Sequence, residues 1–327
     1  EQNGKGSWGY GEIWKQGTRS KAFSPRLKAQ FDNAIGQASW LLGFDHITSD
    51  YELDRTKTRQ SQRDWYTLFN QNLTSDLMLS LGYRTSQVKD DNRADATKNQ
   101  ERKGSSSVAL SWQANDYTRL FAKREDVLRW ANVDENAFTL PDISALKPQT
   151  GVSWETGAEW KNDTQRVQAT LYRLNLKDEL MYDSFISNPN SWNGRGANIN
   201  LDKTRHQGLI LEADQQMSDR IKIGGQYTYT DSEYRGGSFK GNEVPWVSKH
   251  SASAYMDWEV VQNLKTHIEA IYVGKRYYSG DDANTQGKAG SYTLYNAAVS
   301  YKYHDVLTKL RINNLTGKRY NGFASAY

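Results

Sequence analysis

The sequence predicts an all-β chain, an antiparallel up-and-down transmembrane β-barrel, and three observations carry that prediction. Seven short turn signals recur at a nearly even pace: Asn33-Gly36, Thr74-Leu77, Asn115-Thr118, Asn162-Gln165, Met217-Arg220, Val261-Leu264 and His304-Val306. Apolar and polar residues alternate at period two on both sides of each turn, as in half-buried strands. Long polar stretches separate one hairpin from the next, at roughly 40 to 55 residues per hairpin.

The alternation holds strand by strand. Leu27, Ala29 and Phe31 stand against Lys28 and Gln30, and Trp40, Leu42 and Phe44 against Ser39, Gly43 and Asp45. Leu79, Leu81 and Tyr83 alternate with Ser80, Gly82 and Arg84, and Val108, Leu110 and Trp112 with Ser111 and Gln113. Further along, Val152, Trp154 and Trp160 oppose Ser153, Glu155 and Glu159, and Leu209, Leu211 and Ala213 oppose Glu212 and Asp214. Ala252, Ala254, Met256 and Trp258 against Ser253 and Asp257, then Ala297, Val299 and Tyr301 against Ser300 and Lys302, complete the series. The pattern slips at Leu171-Tyr172-Arg173-Leu174, which suggests a bulge. Two strands per turn give about 14 strands between Lys21 and Asn314.

Composition agrees with this architecture. The hydrophobic fraction is 37% and the mean hydropathy −0.85, too polar for a helical membrane protein. No run approaches the roughly 18 apolar residues of a spanning helix. A barrel escapes that requirement, because only alternate residues meet lipid and backbone groups bond between strands. The 11 Trp and 20 Tyr suit rings placed at two membrane-water interfaces. A soluble sandwich also alternates, but its strands average only about five or six residues.

Other classes are poorly served. The absence of cysteine removes disulfide scaffolds and thiolate chemistry. The 42 basic residues are interleaved with 38 acidic ones, so no basic patch argues for nucleic acid. His46, His206, His250, His267 and His304 are scattered without ligand spacing, and no nucleophile elbow, phosphate loop or dinucleotide fingerprint occurs. No enzyme, metal site or cofactor is expected. The acidic pairs Asp90-Asp91 and Asp281-Asp282 read as solvated loop tips. The expected long connections are 48–61, 85–103, 124–151, 178–205, 231–247 and 274–290. Within them Trp130, Trp192, Arg195, Tyr234, Arg235, Trp246, Tyr277 and Tyr278 are the candidate ligand-binding residues. Rings supply rigid contact area and guanidinium groups recognise anions.

Three segments carry a family resemblance. Leu310-Arg-Ile-Asn-Asn-Leu-Thr-Gly-Lys-Arg-Tyr320 resembles the segment near the end of TonB-dependent outer-membrane receptors. Leu146-Lys-Pro-Gln-Thr-Gly-Val-Ser-Trp-Glu-Thr-Gly-Ala-Glu-Trp160 is similar to a strand entry of that family, and Ala169-Thr-Leu-Tyr-Arg-Leu-Asn-Leu-Lys-Asp-Glu179 to the strand that follows.

The resemblance implies a siderophore-receptor-type barrel, and so part of one with 22 strands. Residues 1–327 would be barrel region with the plug domain absent, and residues 1–20 the tail of an outer loop. It implies ferric siderophore uptake energised through TonB by way of that plug, at the outer membrane of a Gram-negative bacterium. Implied partners are membrane lipid and lipopolysaccharide, the missing plug and remaining strands, and indirectly the TonB complex. Arg84, Glu155, Glu159, Glu212, Gln226, Lys302 and Arg311 would hydrate the lumen or grip the plug. Haem receptors of the family resemble one another in a ligating His before the matched strand entry, and none occurs from Ile47 to Arg205. The alternative is a passive 14-stranded diffusion channel.

Overall fold

The computed structural model describes the backbone of residues 2–8, 12–53, 56–92, 97–191, 193–322 and 324, and their side chains from residue 16 onward except at positions 56 and 97. Along the chain run β1 (Gln2–Trp8), β2 (Glu12–Phe23), β3 (Arg26–Asp32), β4 (Gln37–Leu53), β5 (Thr56–Asn72), β6 (Leu77–Asn92) and β7 (Thr97–Gln113). They are followed by β8 (Thr118–Arg129), β9 (Gln149–Lys161), β10 (Gln165–Lys177), β11 (Leu180–Ser187), β12 (Arg195–Asn200) and β13 (Thr204–Ser218). The last are β14 (Ile221–Tyr234), β15 (His250–Val261), β16 (Leu264–Val273), β17 (Arg276–Tyr277), β18 (Lys288–Ala289), β19 (Tyr292–Tyr303) and β20 (Val306–Ile312). Helix is confined, among the described residues, to a single 3-10 turn at Glu135–Ala137. No helix is long and apolar enough to cross a membrane.

Two compact units share these strands. The first comprises Glu1–Leu110, Lys123–Ser153 and Asn175–Lys203; the second Ser111–Ala122, Trp154–Leu174 and Thr204–Tyr327. In the first, hydrogen-bonded neighbours run β1-β2-β4-β5-β6-β7 and on through the ends of β8, β9 and β10, with β3 beside β4 and a separate β11-β12 pair. In the second, the other ends of β7 to β10 continue into β13-β14-β15-β16-β19-β20, with β17-β18 apart. The registers resolved for these pairs are all antiparallel.

All seven turn signals are turns, and in four of them the side chain that announces the turn closes it. Asn33 Oδ1 accepts from the N–H of Ile35 and Gly36. Thr74 Oγ1 does so for Asp76 and Leu77, Asn115 Oδ1 for Tyr117 and Thr118, and Asn162 Oδ1 for Thr164 and Gln165. Such side chains mimic a backbone turn at little cost. Asn263 and His304 instead adopt left-handed backbone, with φ of 69° and 50°.

Each strand segregates its side chains as the period-two pattern requires. Trp40, Leu42, Trp65, Leu81, Tyr83, Val108, Leu110 and Trp112 stand exposed on one face. The opposite face is polar. In the second unit, Asp214, Gly224, Tyr255, Glu269 and Asn296 lie directly opposite one another on five successive strands. Tyr255 leans across to hydrogen-bond Asp214, and a Cβ at Gly224 would lie 2.6 Å from its ring. Gly43 beneath the Tyr66 ring, 2.1 Å from where its Cβ would be, repeats this device in the first unit. Arg166 bonds Glu159, with Glu212 and Asp214 within 4 Å.

The structure corrects the expected connections at 48–61 and 85–103. Both are mostly strand: β4 and β5 are 17 residues each, against the roughly 9–11 that a bilayer requires. Beyond that length the face that carried the exposed rings turns polar and the apolar residues Tyr51 and Val88 are buried on the other face, so the alternation on the first face stops while the hydrogen-bond ladder continues. Residues 1–20, expected in an outer loop, include the β1-β2 hairpin. The Leu171-Leu174 slip lies within unbroken β10, with the Tyr172 hydroxyl 2.6 Å from Thr230 Oγ1. Between β2 and β3 only Ser24 and Pro25 intervene. The register against β4 is continuous there, from Phe23 opposite His46 to Arg26 opposite Gly43, so Pro25 interrupts a single strand by lacking an N–H.

Leu81 sits on the apolar face near the middle of a bilayer-length stretch of β6, and Ser80 on the polar face beside it. Leu81→Arg is expected to destabilise the protein by about 2–4 kcal/mol and Ser80→Arg far less, as measured by urea unfolding in lipid vesicles.

Candidate functional site

Apolar burial concentrates where the strands leave the regular wall and the connections fold back on them. In the first unit the stretch after β8 begins with Trp130, which is 8% exposed and donates from Nε1 to Ser86 Oγ at 2.7 Å. Gln60 Nε2 bridges Asp90 Oδ1 at 2.8 Å and the carbonyl of Ala131 at 2.7 Å. Ala131, Val133 and Leu146 are buried. Tyr51 meets Phe138 edge-on at 6.2 Å. Burial, with the charge of Asp134 second, pushes the Tyr51 hydroxyl up to about 12.

Asparagine amides fasten the β11-β12 hairpin to this stretch. The Asn198 N–H donates to the Phe138 carbonyl at 2.7 Å, and its amide to the Glu135 carbonyl at 3.0 Å. Asn188 reaches the carbonyls of Thr139 and Gly196. Asn200 takes the Lys147 N–H on Oδ1 and returns Nδ2 to the Lys147 carbonyl, both at 2.9 Å. The amides of Asn188 and Asn200 supply both a donor and an acceptor to backbone that no ladder serves, and that of Asn198 a donor. Arg195, at the edge of this layer, is exposed, and its guanidinium has no partner among the described residues.

In the second unit two connections make the corresponding layer, 235–249 and 274–291. Tyr234 is 2% exposed, and its hydroxyl donates to Asp282 Oδ1 at 2.6 Å. Asn284 clasps residue 243 through Oδ1 to its N–H and Nδ2 to its carbonyl. Lys249 and Lys288 both reach the Glu243 carboxylate, at 2.9 and 3.0 Å. Burial raises the Glu243 carboxyl, but the hydrogen bonds from Lys249 and Lys288 outweigh it and hold the group below its ordinary value.

The ring-and-cation groups of the second unit lie beside that clasp. The Arg276 guanidinium stacks 4.1 Å from the Trp246 ring centre and 5.7 Å from that of Tyr292. Lys288 Nζ lies 4.4 Å from the Tyr277 ring centre. The Trp246 N–H donates to the Tyr277 carbonyl at 3.0 Å. Trp246 holds φ at 63°, a left-handed conformation costly for a bulky residue. Tyr278 is half-buried, and its carbonyl accepts the Asp281 N–H at 3.1 Å.

The eight expected binding residues thus divide. Trp246, Tyr277 and Tyr278 come together in one layer with partly open rings. Arg235, exposed and 2.8 Å from Glu233, flanks the start of the 235–249 connection. Arg195 stands open in the other unit. Trp130 and Tyr234 are buried supports whose polar tips are already bonded, and Trp192 lies outside the described residues. Arg276, Lys288 and Asn284 were missed by sequence, although the Arg-Tyr-Tyr run at 276–278 holds one of them. The acidic pairs are corrected as well. Asp90, Asp281 and Asp282 are buried, because Gln60, Tyr234 and the N–H groups of Thr285 and Gln286 satisfy them. They organise the connections and are not solvated tips.

A wall of alternating antiparallel strands, with tight turns at one end and packed connections at the other, is the architecture of outer-membrane barrels. The family model for the TonB dependent receptor-like β-barrel matches residues 3–315, and the chain belongs to that family. The ferrichrome outer membrane transporter and phage receptor of Escherichia coli K12 is 30% identical over 194 residues, 55% of this chain and 24% of that protein. The iron-regulated outer membrane virulence protein of Vibrio cholerae is 25% identical over 209 residues, 61% of this chain and 32% of its own length. The crystal structure of the siderophore receptor PiuA from Acinetobacter baumannii superimposes with a TM-score of 0.73 at 19% identity, covering 96% of this chain and 55% of that one. The chain therefore spans about half the length of that solved receptor, and a quarter to a third of the curated relatives.

Two titrations test the packed layers. The Glu243 clasp contributes stability above pH 4.5 that is lost as pH falls through its lowered pKa; Glu243→Gln should be less stable at neutral pH and flat in this range, by urea midpoint. Tyr51 contributes stability fully present below pH 10 and lost as pH rises towards 12; Tyr51→Phe should remove that decline.

Proposed function

We propose that this chain forms wall and mouth of an outer-membrane uptake receptor for a ferric siderophore, in a Gram-negative bacterium. The observation that carries the reading is the family match over residues 3–315, joined to a mouth of stacked rings and guanidinium groups. Relatives named for ferrichrome and ferrioxamine support the ligand class. In this reading the face bearing Trp40, Leu81 and Trp112 meets lipid, and the face bearing Arg84, Asp214 and Tyr255 lines the lumen.

The mouth divides its labour by burial. Trp130 and Tyr234 hold the connections in place. Arg235, Trp246, Tyr277 and Tyr278 of the second unit are assigned to ligand contact, and Arg195 of the first unit is a candidate contact considered by itself. Ring faces contact its organic shell and guanidinium groups its anionic oxygens. Residues 1–20 belong to the outer connections. Energy coupling is assigned to TonB acting on a plug domain that these residues do not form. The comparisons lend the passive 14-stranded channel no support.

Deleting the gene should abolish accumulation of an iron-55 hydroxamate siderophore, and a protonophore should do the same in the parent strain. Accumulation that survives the protonophore would instead indicate passive diffusion. Trp246→Ala should weaken ligand binding about tenfold, on the scale of one lost stacking contact, as read by fluorescence quenching.

A further inference from the structure

Four side chains of the second unit form a column that leads from the sheet into its connections. Tyr292 opens β19 and lies directly opposite Val273, the last residue of β16. Its ring centre is 4.7 Å from that of Tyr320 and 5.7 Å from the Arg276 guanidinium, which in turn is 4.1 Å from the Trp246 ring centre. The backbone draws the same segments together. The Trp246 N–H donates to the Tyr277 carbonyl, and the Ser279 N–H to the Ala324 carbonyl at 3.0 Å.

Arg276 is a costly choice for this place unless ring contact is its purpose. The residue is 7% exposed and has no acidic partner among the described residues. Its guanidinium donates from Nη2 to the Asn321 carbonyl at 3.2 Å, while Nε is enclosed without an acceptor. A cation so deeply buried is ordinarily matched by a carboxylate; here two rings and a carbonyl stand in for one. A side chain enclosed in this way does not meet a ligand itself. Trp246, by contrast, is half-buried, and its left-handed φ of 63° persists in a bulky residue only where the surroundings over-determine it.

We infer that Arg276 is a positioning residue of the mouth. It ties the Trp246 ring to Tyr292 at the rigid end of β19, and so fixes the ring in the position where a ligand meets it. Its contribution to affinity passes through Trp246 alone, by sparing the ligand the cost of ordering that ring. The inference rests on the uptake reading for its ligand, whereas the column stands without it.

The test uses the protein purified from outer membranes in detergent, with fluorotryptophan incorporated for NMR. The Trp246 resonance, assigned by its loss in Trp246→Phe, should shift in Arg276→Gln and in Tyr292→Leu, and stay in place in Lys240→Gln of the same connection. Affinity for ferrichrome and ferrioxamine B, read on unlabelled protein by fluorescence quenching, should fall about tenfold in Arg276→Gln. Arg276→Lys, which keeps the charge without the plane, should lose less. Adding Arg276→Gln to Trp246→Ala should cost nothing further. An unmoved resonance in Arg276→Gln or Tyr292→Leu, undiminished affinity, or a loss that adds to that of Trp246→Ala overturns the assignment, the last by showing direct contact with the ligand. Should Arg276→Gln lose heat-modifiable gel mobility, Arg276→Lys carries the same cycle. Failure of wild type to bind either probe speaks against the uptake reading, and the fluorine spectrum still decides whether Arg276 positions the ring.

Discussion

Every backbone N–H and C=O in a bilayer must find a partner inside the protein, because no water is there to serve it. Strand-to-strand pairing meets that demand without using a side chain, and everything else in this molecule follows from the freedom this leaves. With the ladder carrying the polar backbone, side chains segregate by face. One face is left greasy, and the other gathers Arg166, Glu159, Glu212, Asp214 and Tyr255 into bonded groups. Glycine enters where the ladder brings backbone under a leaning ring, at Gly43 and Gly224.

Where the strands end, the same demand is met by other means. The connections have no continuous ladder, and asparagine amides substitute for it at Asn188, Asn198, Asn200 and Asn284. Buried carboxylates serve likewise, with Asp281 collecting the N–H groups of Thr285 and Gln286. The rings proposed to meet a ligand are thus mounted on connections that are internally bonded and partly dry. That rigidity is what a recognition surface requires, and the left-handed backbone at Trp246 shows how firmly one ring is held.

Local chemistry was legible in the sequence and distant chemistry was not. Asn33, Thr74, Asn115 and Asn162 announce turns because a side chain caps its own backbone two or three residues on, an interaction complete within four letters. Alternation is equally local. The 17-residue strands were hidden because a wet sheet has no apolar period to display. The burial of Trp130 and Tyr234 is not legible, because composition does not reveal that Ser86 and Asp282, 44 and 48 residues away, take their polar atoms. The burial of Asp90 is hidden for the same reason, since it depends on Gln60 and on a connection some 40 residues later. Arg276 owes its role to Trp246 and Tyr292, and only the folded loops make them neighbours.

Pro25 removes one rung from an otherwise continuous register. The N–H of Phe44 still reaches the Pro25 carbonyl at 3.2 Å, but the reciprocal bond to the Phe44 carbonyl has no donor. A zipper missing a tooth stops opening there: fraying that starts at the β1-β2 end meets a natural terminus before it reaches Leu27 and the paired residues beyond. The outermost ribbon can therefore breathe on its own timescale while the bilayer-length portion of the same strand stays shut.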